Sequence, residues 1–269
     1  LQETGLDIAS LRLEITESVL LEALESTTNM LNCLKNMGAQ LEIDDFGTGY
    51  SSLTYLKRLP AETLKIDQSF VRDMYADPEA LAILEGVLGL ASAFRRQPIA
   101  EGVETVETGV MLRHMGCELA QGFAIARPMP AEAMPGWVMI WQPDPRWVAA
   151  SVVTPGQRPL IYAAVEHRAW VATIEAILQG ERVSVPPLDS ERCRLGVWLT
   201  VERQSGLLTP RDHQILSDLH RRVHAVAGEL LSCHERGAIE AEIKPRLLEL
   251  YGLRDCLLEH LHSLITPEG

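Results

Sequence analysis

Two groups of residues in this chain have types and spacings that suit chemistry. The first is Asp44-Asp45, which ends the short apolar run Gln40-Leu41-Glu42-Ile43 and opens the segment Phe46-Gly47-Thr48-Gly49-Tyr50-Ser51-Ser52-Leu53. Adjacent carboxylates repel each other unless a cation, a strong donor or bulk water compensates them, and a divalent metal is the economical compensation. The competing reading is a solvated turn, because Asp and Gly are ordinary turn residues. The second group is His220 and His224, four apart in a helical pattern, so that their imidazoles share a face and could reach one ion. Alone, such a pair is more often surface or core than ligand.

The elements that must position these groups differ between the two halves of the chain. Leu11-Arg12-Leu13-Glu14-Ile15-Thr16-Glu17 alternates as a strand does, and a helical pattern over about 18–37 follows it. The unit then recurs: a strand at 41–44 before a helix near 52–58, Thr63-Leu64-Lys65-Ile66-Asp67 before a helix over 78–93, and Pro98-Ile99-Ala100-Glu101 before a helix over 106–115. A last strand at 118–123 precedes Arg127-Pro128-Met129-Pro130. About five strand-then-helix units predict a parallel sheet with helical crossovers. Glu14, Asp44 with Asp45, Lys65, Glu101 and Gln121 fall in or at the ends of these strands, 30, 21, 36 and 20 residues apart. In a (β/α)₈ barrel the strand C-termini converge on the face that carries the active site. One charge near a strand end is ordinarily a rim charge; five successive strands delivering a carboxylate, amine or amide to one level form a constellation.

These segments resemble a known family. Leu13-Glu14-Ile15-Thr16-Glu17-Ser18, the run from Asp44 to Leu53, Leu64-Lys65-Ile66-Asp67, Ala100-Glu101-Gly102-Val103-Glu104-Thr105, and Gln121-Gly122-Phe123 with Pro128-Met129-Pro130 are similar, in order, to the motifs of EAL-domain cyclic di-GMP phosphodiesterases. The resemblance covers about residues 1–140. It implies a TIM-like (β/α)₈ barrel that hydrolyses cyclic di-GMP to linear pGpG with two Mg²⁺ or Mn²⁺ ions. It implies Glu14, Asp44 and Asp45 as metal ligands, Glu101 as ligand or general base, and Lys65 as holder of the attacking water or the phosphate. Glu104 and Gln121 would support the site, and Glu17 would anchor the loop that follows Asp44. The family's Glu-Ala-Leu signature and a further Asn ligand have no matching segments here. The expectation is therefore an incomplete barrel of about five of eight strands, which as given is not a competent phosphodiesterase.

Composition bounds the rest. The 269 residues are 46% hydrophobic, enough for one large domain or two ordinary ones. Five scattered cysteines without a CxxC pair argue for a reducing, cytoplasmic setting rather than a disulfide framework. No apolar run approaches the roughly 20 residues that span a bilayer, so no membrane contact is expected within this chain. The first residues show neither an initiator Met nor a signal pattern, so a longer parent is expected, with room for a membrane anchor upstream. Residues 1–157 hold 11 Lys/Arg against 21 Asp/Glu, a net of −10, and residues 158–269 hold 13 against 16, a net of −3. Such an acidic first half has no basic stripe for polymeric nucleic acid, and a phosphate ligand would need metal ions as intermediaries.

From Ala131 the pattern changes. Trp137, Trp141 and Trp147 interleave with Pro135, Pro143, Pro145 and Pro155, which predicts a short closing helix and an irregular connector, placing a linker over 141–158. Helical patterns follow at 160–179, 195–203, 209–235 and 239–264, the last with a start or kink at Pro245, and they predict an antiparallel four-helix bundle over 159–265. His167 with nearby Trp170, Cys193-Arg194-Leu195-Gly196-Val197-Trp198-Leu199 and the His220/His224 pair resemble the chemoreceptor zinc-binding (CZB) domain. The resemblance implies Zn²⁺ held by His167, Cys193, His220 and His224. His213, two turns before His220, competes on spacing alone. One thiolate among imidazoles suits zinc and is the atom most open to oxidation, so the expected role is a zinc or oxidant sensor acting through the Trp/Pro connector, against a purely structural zinc. The alternative for the whole chain is a non-catalytic signalling module that acts through the helical part, as a homodimer.

Overall fold

The structure, a computed structural model, describes residues 3, 5–16, 24–47, 53–181 and 185–265. The chain divides into two compact units, Leu1–Met74 with Glu79–Val152, and Tyr75–Pro78 with Val153–Gly269.

In the first unit, strands β1 (Arg12–Thr16), β2 (Gln40–Phe46), β3 (Thr63–Ile66), β4 (Gln97–Ala100) and β5 (Leu119–Ala120) form one parallel sheet in the order β1-β2-β3-β4-β5. Each strand lies beside its predecessor, so the strand order never reverses, as in the wall of a β/α barrel and unlike a doubly wound sheet. The crossovers carry α1 (Leu24–Asn36), α2 (Leu53–Arg58), α3 (Gln68–Asp73) with α4 (Pro78–Ala93), and α5 (Val106–Met115). Leu41, Ile43, Leu64 and Ile66 are buried with Leu81 and Leu84 of α4. Burial of each such side chain contributes about 1.5–3 kcal/mol, before chain entropy is charged against it.

Buried Arg96, just before β4, donates to the carbonyls of Leu56, Leu59 and Ala61 and so satisfies the C-terminal end of α2. Two short helices, α6 (Met134–Ile140) and α7 (Pro145–Ala149), close the unit. The stretch expected to be irregular is therefore partly built: Asp144 N-caps α7, Trp147 Nε1 donates to Val106 O at 2.8 Å, and Arg146 pairs with Glu107 at 2.9 Å. The last strand is shorter than the 118–123 expected, because only Leu119 and Ala120 pair with β4.

The second unit is all helical among the described residues: α8 (Arg158–Leu178), α9 (Arg194–Ser205), α10 (Pro210–Glu235) and α11 (Glu240–Ile265). Helix α8 packs on the other three, and α10 packs on α9 and α11. The buried residues follow helical spacing, for example Leu250, Leu253, Leu257 and Leu261 on α11. Thr209 caps α10 by accepting from Asp212 N, and Pro210 takes the first helical position. Pro245 lies inside α11 without ending it. It is the sixth residue of the helix, past the first turn, so it forfeits one intrahelical hydrogen bond. No helix among the described residues is long and apolar enough to cross a membrane.

Candidate functional sites

The strand ends of the first unit assemble the acidic group. In a regular strand neighbouring side chains point to opposite faces, so Asp44 and Asp45 could not serve one site without a break in the pleat. The structure supplies that break. Asp45 has φ of 54°, and the β2–β3 register shifts between Ile43 and Phe46. Asp tolerates this left-handed geometry better than most residues. As a result, carboxylate oxygens of Asp44, Asp45 and Glu101 lie within 4.8 Å of one another.

Lys65 stands at their centre, 4% exposed on the fully buried strand β3. Its ammonium reaches Glu101 at 2.6 Å, Asp44 at 2.8 Å and Glu14 at 2.9 Å. Burial alone would lower its pKa, but hydrogen bonds to Asp44, Glu101 and Glu14 outweigh burial and raise it, so the side chain stays charged. Gln121 Nε2 donates to Glu101 Oε1 at 2.6 Å and fixes that carboxylate's orientation. Burial raises the pKa of Glu101 against the opposing pull of Lys65. Burial, with the charges of Asp44 and Asp67, also raises that of Asp45.

Two other expected residues are not seen in this group. Glu104 is exposed, 3.8 Å from Arg72 rather than among the acidic group, and Glu17 lies outside the described residues. Asp67 was not singled out by sequence reasoning. Its carboxylate N-caps α3 through Ser69 N at 2.9 Å and lies against that of Asp45. The Asp-x-Ser pattern directly after strand β3 was the available signal.

Three carboxylates with converging oxygens match what a hard divalent cation takes from protein, with waters and phosphate oxygens completing its shell. Glu14 joins this group through Lys65, whose ammonium it shares with Asp44 and Glu101.

The helical unit gathers a group of opposite character. His167 from α8, Cys193 at the N-cap of α9, and His220 and His224 from α10 place one ligand atom each within 4.8 Å of the others. Tetrahedral zinc with nitrogen and sulfur ligands needs ligand-to-ligand separations of about 3.3–3.8 Å. Cys193 Sγ and His220 Nε2 are 3.0 Å apart.

The backbone fixes the tautomers. His167 Nδ1 faces Ala163 O at 2.8 Å and His224 Nδ1 faces Leu188 O at 3.0 Å; a carbonyl only accepts, so both Nδ1 atoms carry the proton and both Nε2 lone pairs are free. His224 Nε2 is buried without a hydrogen-bond partner, which fits a ligand atom. Burial lowers the pKa of His167 to about 4 and, with repulsion from His167 and His224, that of His220 to about 3; burial lowers that of His224 too. Burial likewise raises the Cys193 thiol, a bias that a cation among the four would reverse.

His213 does not compete, because its Nε2 is engaged with Leu199 O at 2.9 Å. Trp170 lies against the His224 ring, centroids 4.5 Å apart, and donates to Pro187 O, which steadies the loop that presents the Leu188 carbonyl.

Comparison with known proteins gives the two units separate relationships. The EAL domain family matches residues 1–128, and the chemoreceptor zinc-binding domain family matches residues 167–231. The protein named cyclic di-GMP phosphodiesterase NbdA, from Pseudomonas aeruginosa, is 40% identical over 144 residues, 54% of this chain and 18% of that protein. The one named cyclic di-GMP phosphodiesterase PdeR, from Escherichia coli, is 40% identical over 137 residues, 51% of this chain and 21% of that protein. The solved EAL enzyme Bd1971 in its cGMP-bound form is 32% identical, with a TM-score of 0.50 over 52% of this chain and 37% of that one. The chain spans about a fifth of the length of these curated relatives. Residues 1–128 belong to the EAL domain family, and residues 167–231 to the chemoreceptor zinc-binding domain family.

Proposed function

We propose that the acidic group of the first unit is part of a cyclic di-GMP phosphodiesterase site and that the histidine–cysteine group of the second is a zinc site that regulates it. The observation that carries the first reading is the convergence of Asp44, Asp45 and Glu101 around Lys65 at the ends of parallel strands. The names of the relatives point to the same chemistry. In the two-metal reading, Asp44, Asp45 and Glu14 are ligands of Mg²⁺ or Mn²⁺, and Glu101 is a ligand or the base. Ions held there would polarise the phosphodiester and lower the pKa of a ligated water.

The chain's own groups do the rest. Glu101, held by Gln121 and shifted upward by burial, is placed to accept the proton of the attacking water. As that oxygen bonds to phosphorus, one P–O bond to a ribose oxygen breaks, the leaving oxygen takes up a proton from solvent, and linear pGpG results. Lys65 offsets the negative charge that grows on the phosphoryl oxygens.

In the second unit, the four helices are read as an antiparallel bundle closed around Zn²⁺ by His167, Cys193, His220 and His224. Loss of zinc or oxidation of Cys193 would loosen three helices at once, since the ligands come from α8, α9 and α10. Five free cysteines agree with a reducing, cytoplasmic setting.

The test is production of pGpG from cyclic di-GMP in Mn²⁺, alongside Asp45→Asn and Glu101→Gln, with cyclic di-GMP binding measured in parallel. Turnover or Mn²⁺-dependent binding that both variants abolish supports the reading. Binding that neither variant affects removes the acidic group from it.

A further inference from the structure

The bend that turns Asp44 and Asp45 to one side interrupts the β2–β3 ladder, whose register shifts between Ile43 and Phe46, while Asp44 stays paired with Thr16 and Phe46 with Ile66. A left-handed Asp is strained and persists only where its surroundings impose it. Beside the sheet, those surroundings include the first turn of α3. The next residue but one after Asp45 is Gly47, with φ of 105°, and the ring of Phe70 fills the place a side chain would take: a methyl group there would lie 2.8 Å from Phe70 Cε2.

The same turn meets the other carboxylate-bearing loop. Gly102, directly after Glu101, has φ of 68°, and a methyl group on it would lie 2.6 Å from Gln68 Cβ. Between these contacts, Asp67 caps the helix and lies against Asp45. One short helix thus abuts both loops that carry the acidic group, at positions where only glycine leaves room.

We infer that α3 sets the geometry of the acidic group and that Phe70 is a positioning residue, its ring holding the bend at residues 45–47. This rests on the divalent-metal reading of that group. Phe70 acts through its contact with Gly47. Its loss lets the bend relax, so that Asp44 and Asp45 drift toward opposite faces and no longer converge with Glu101.

The test is Mn²⁺ binding by calorimetry on the full chain, with thermal unfolding recorded for each variant. Phe70→Ala is expected to weaken Mn²⁺ by about 10–100-fold, the range seen when a residue that orients metal ligands is lost. Phe70→Leu, which keeps apolar bulk without a flat ring, falls between, and Phe70→Tyr binds as wild type. A purely structural role would lower the melting temperature of Phe70→Ala while folded protein kept wild-type affinity, and that result overturns the inference. If Phe70→Ala does not fold, equal affinities of the Leu and Tyr variants overturn it instead. Asp45→Asn separates the two levels: if it leaves Mn²⁺ binding intact, or wild type binds none, the metal reading falls and the inference with it.

Discussion

The two groups of ligand-type residues solve opposite problems. The acidic one collects like charges at strand ends and offsets them with the buried ammonium of Lys65, which touches three carboxylates. The histidine–cysteine one collects neutral groups inside a helical core, where burial removes charge from the imidazoles and backbone carbonyls orient them. A site for hard cations must carry its negative charge before the ion arrives, whereas a site for zinc can stay neutral and release a proton when the ion binds. The first therefore depends on an internal counter-charge, the second on packing.

The largest expected effect follows from that dependence on packing. Zinc bound by Cys/His sites contributes apparent free energies of about 10–16 kcal/mol, shared between binding and folding. Cys193→Ala or His220→Ala is expected to drop zinc measured by elemental analysis from about one ion per chain to a small fraction of that. Unchanged stoichiometry in either variant would remove that residue from the site and dissolve the contrast. Chelation of wild type should loosen α8–α10, read as faster amide exchange around Val165 and Val223, while β3 stays protected.

Next in size is Lys65→Met. It leaves Asp44, Glu14 and Glu101 facing one another without compensation. Removal of one partner from a fully buried pair costs about 3–5 kcal/mol, and the exposure of Glu14 reduces this to about 2 kcal/mol in urea unfolding. Mn²⁺ should restore more stability to this variant than to wild type, since the ion replaces the lost charge. A variant as stable as wild type would show that water, not Lys65, compensates the acids.

How much of this was legible in the sequence differs between the two sites for a physical reason. The alternation of Leu64-Lys65-Ile66 and the strand-end positions of Asp44, Glu101 and Gln121 announced the acidic group, because strand register fixes which residues reach the rim. The bend at Asp45, the role of Asp67 and the departure of Glu104 to Arg72 were not legible, since each depends on local backbone geometry or on a neighbour distant in sequence. In the helical unit, the four-residue spacing of His220 and His224 was readable. The carbonyls of Ala163 and Leu188 that select the tautomers of His167 and His224 are backbone atoms and leave no trace in residue type. Trp147 docking on Val106 was missed because alternating Trp and Pro reads as irregular chain until a partner helix is present.

The charge contrast also predicts a proton count. The imidazole pKa values are depressed in the fold, to about 4 for His167 and about 3 for His220, against an ordinary value near 6.5. A depressed histidine binds fewer protons folded than unfolded. Its contribution to stability is present above about pH 6.5 and is lost as pH falls toward the folded value. At pH 7 the three imidazoles of zinc-stripped protein are thus neutral, and only the Cys193 thiol has a proton to give. Calorimetric zinc titration in buffers of different ionisation enthalpy should report release of about one proton per ion. Release near zero would mean that the thiol is not a ligand, and release of two or more would mean that the imidazoles are charged beforehand.

The smallest effect concerns His213, and it tests whether tautomer and orientation, rather than spacing, select the ligands. His213 lies on α10, two turns before His220, close enough in sequence to join the site. Its Nε2 is instead engaged with Leu199 O at 2.9 Å, which ties α10 to α9. His213→Ala removes one partly buried hydrogen bond, a cost of about 1 kcal/mol and a fall of a few degrees in melting temperature. Zinc content and the one-proton release should stay as in wild type. A loss of zinc comparable to that of His220→Ala would mean that the imidazole leaves Leu199 for the metal, and the backbone carbonyls could then no longer be credited with choosing the ligand set.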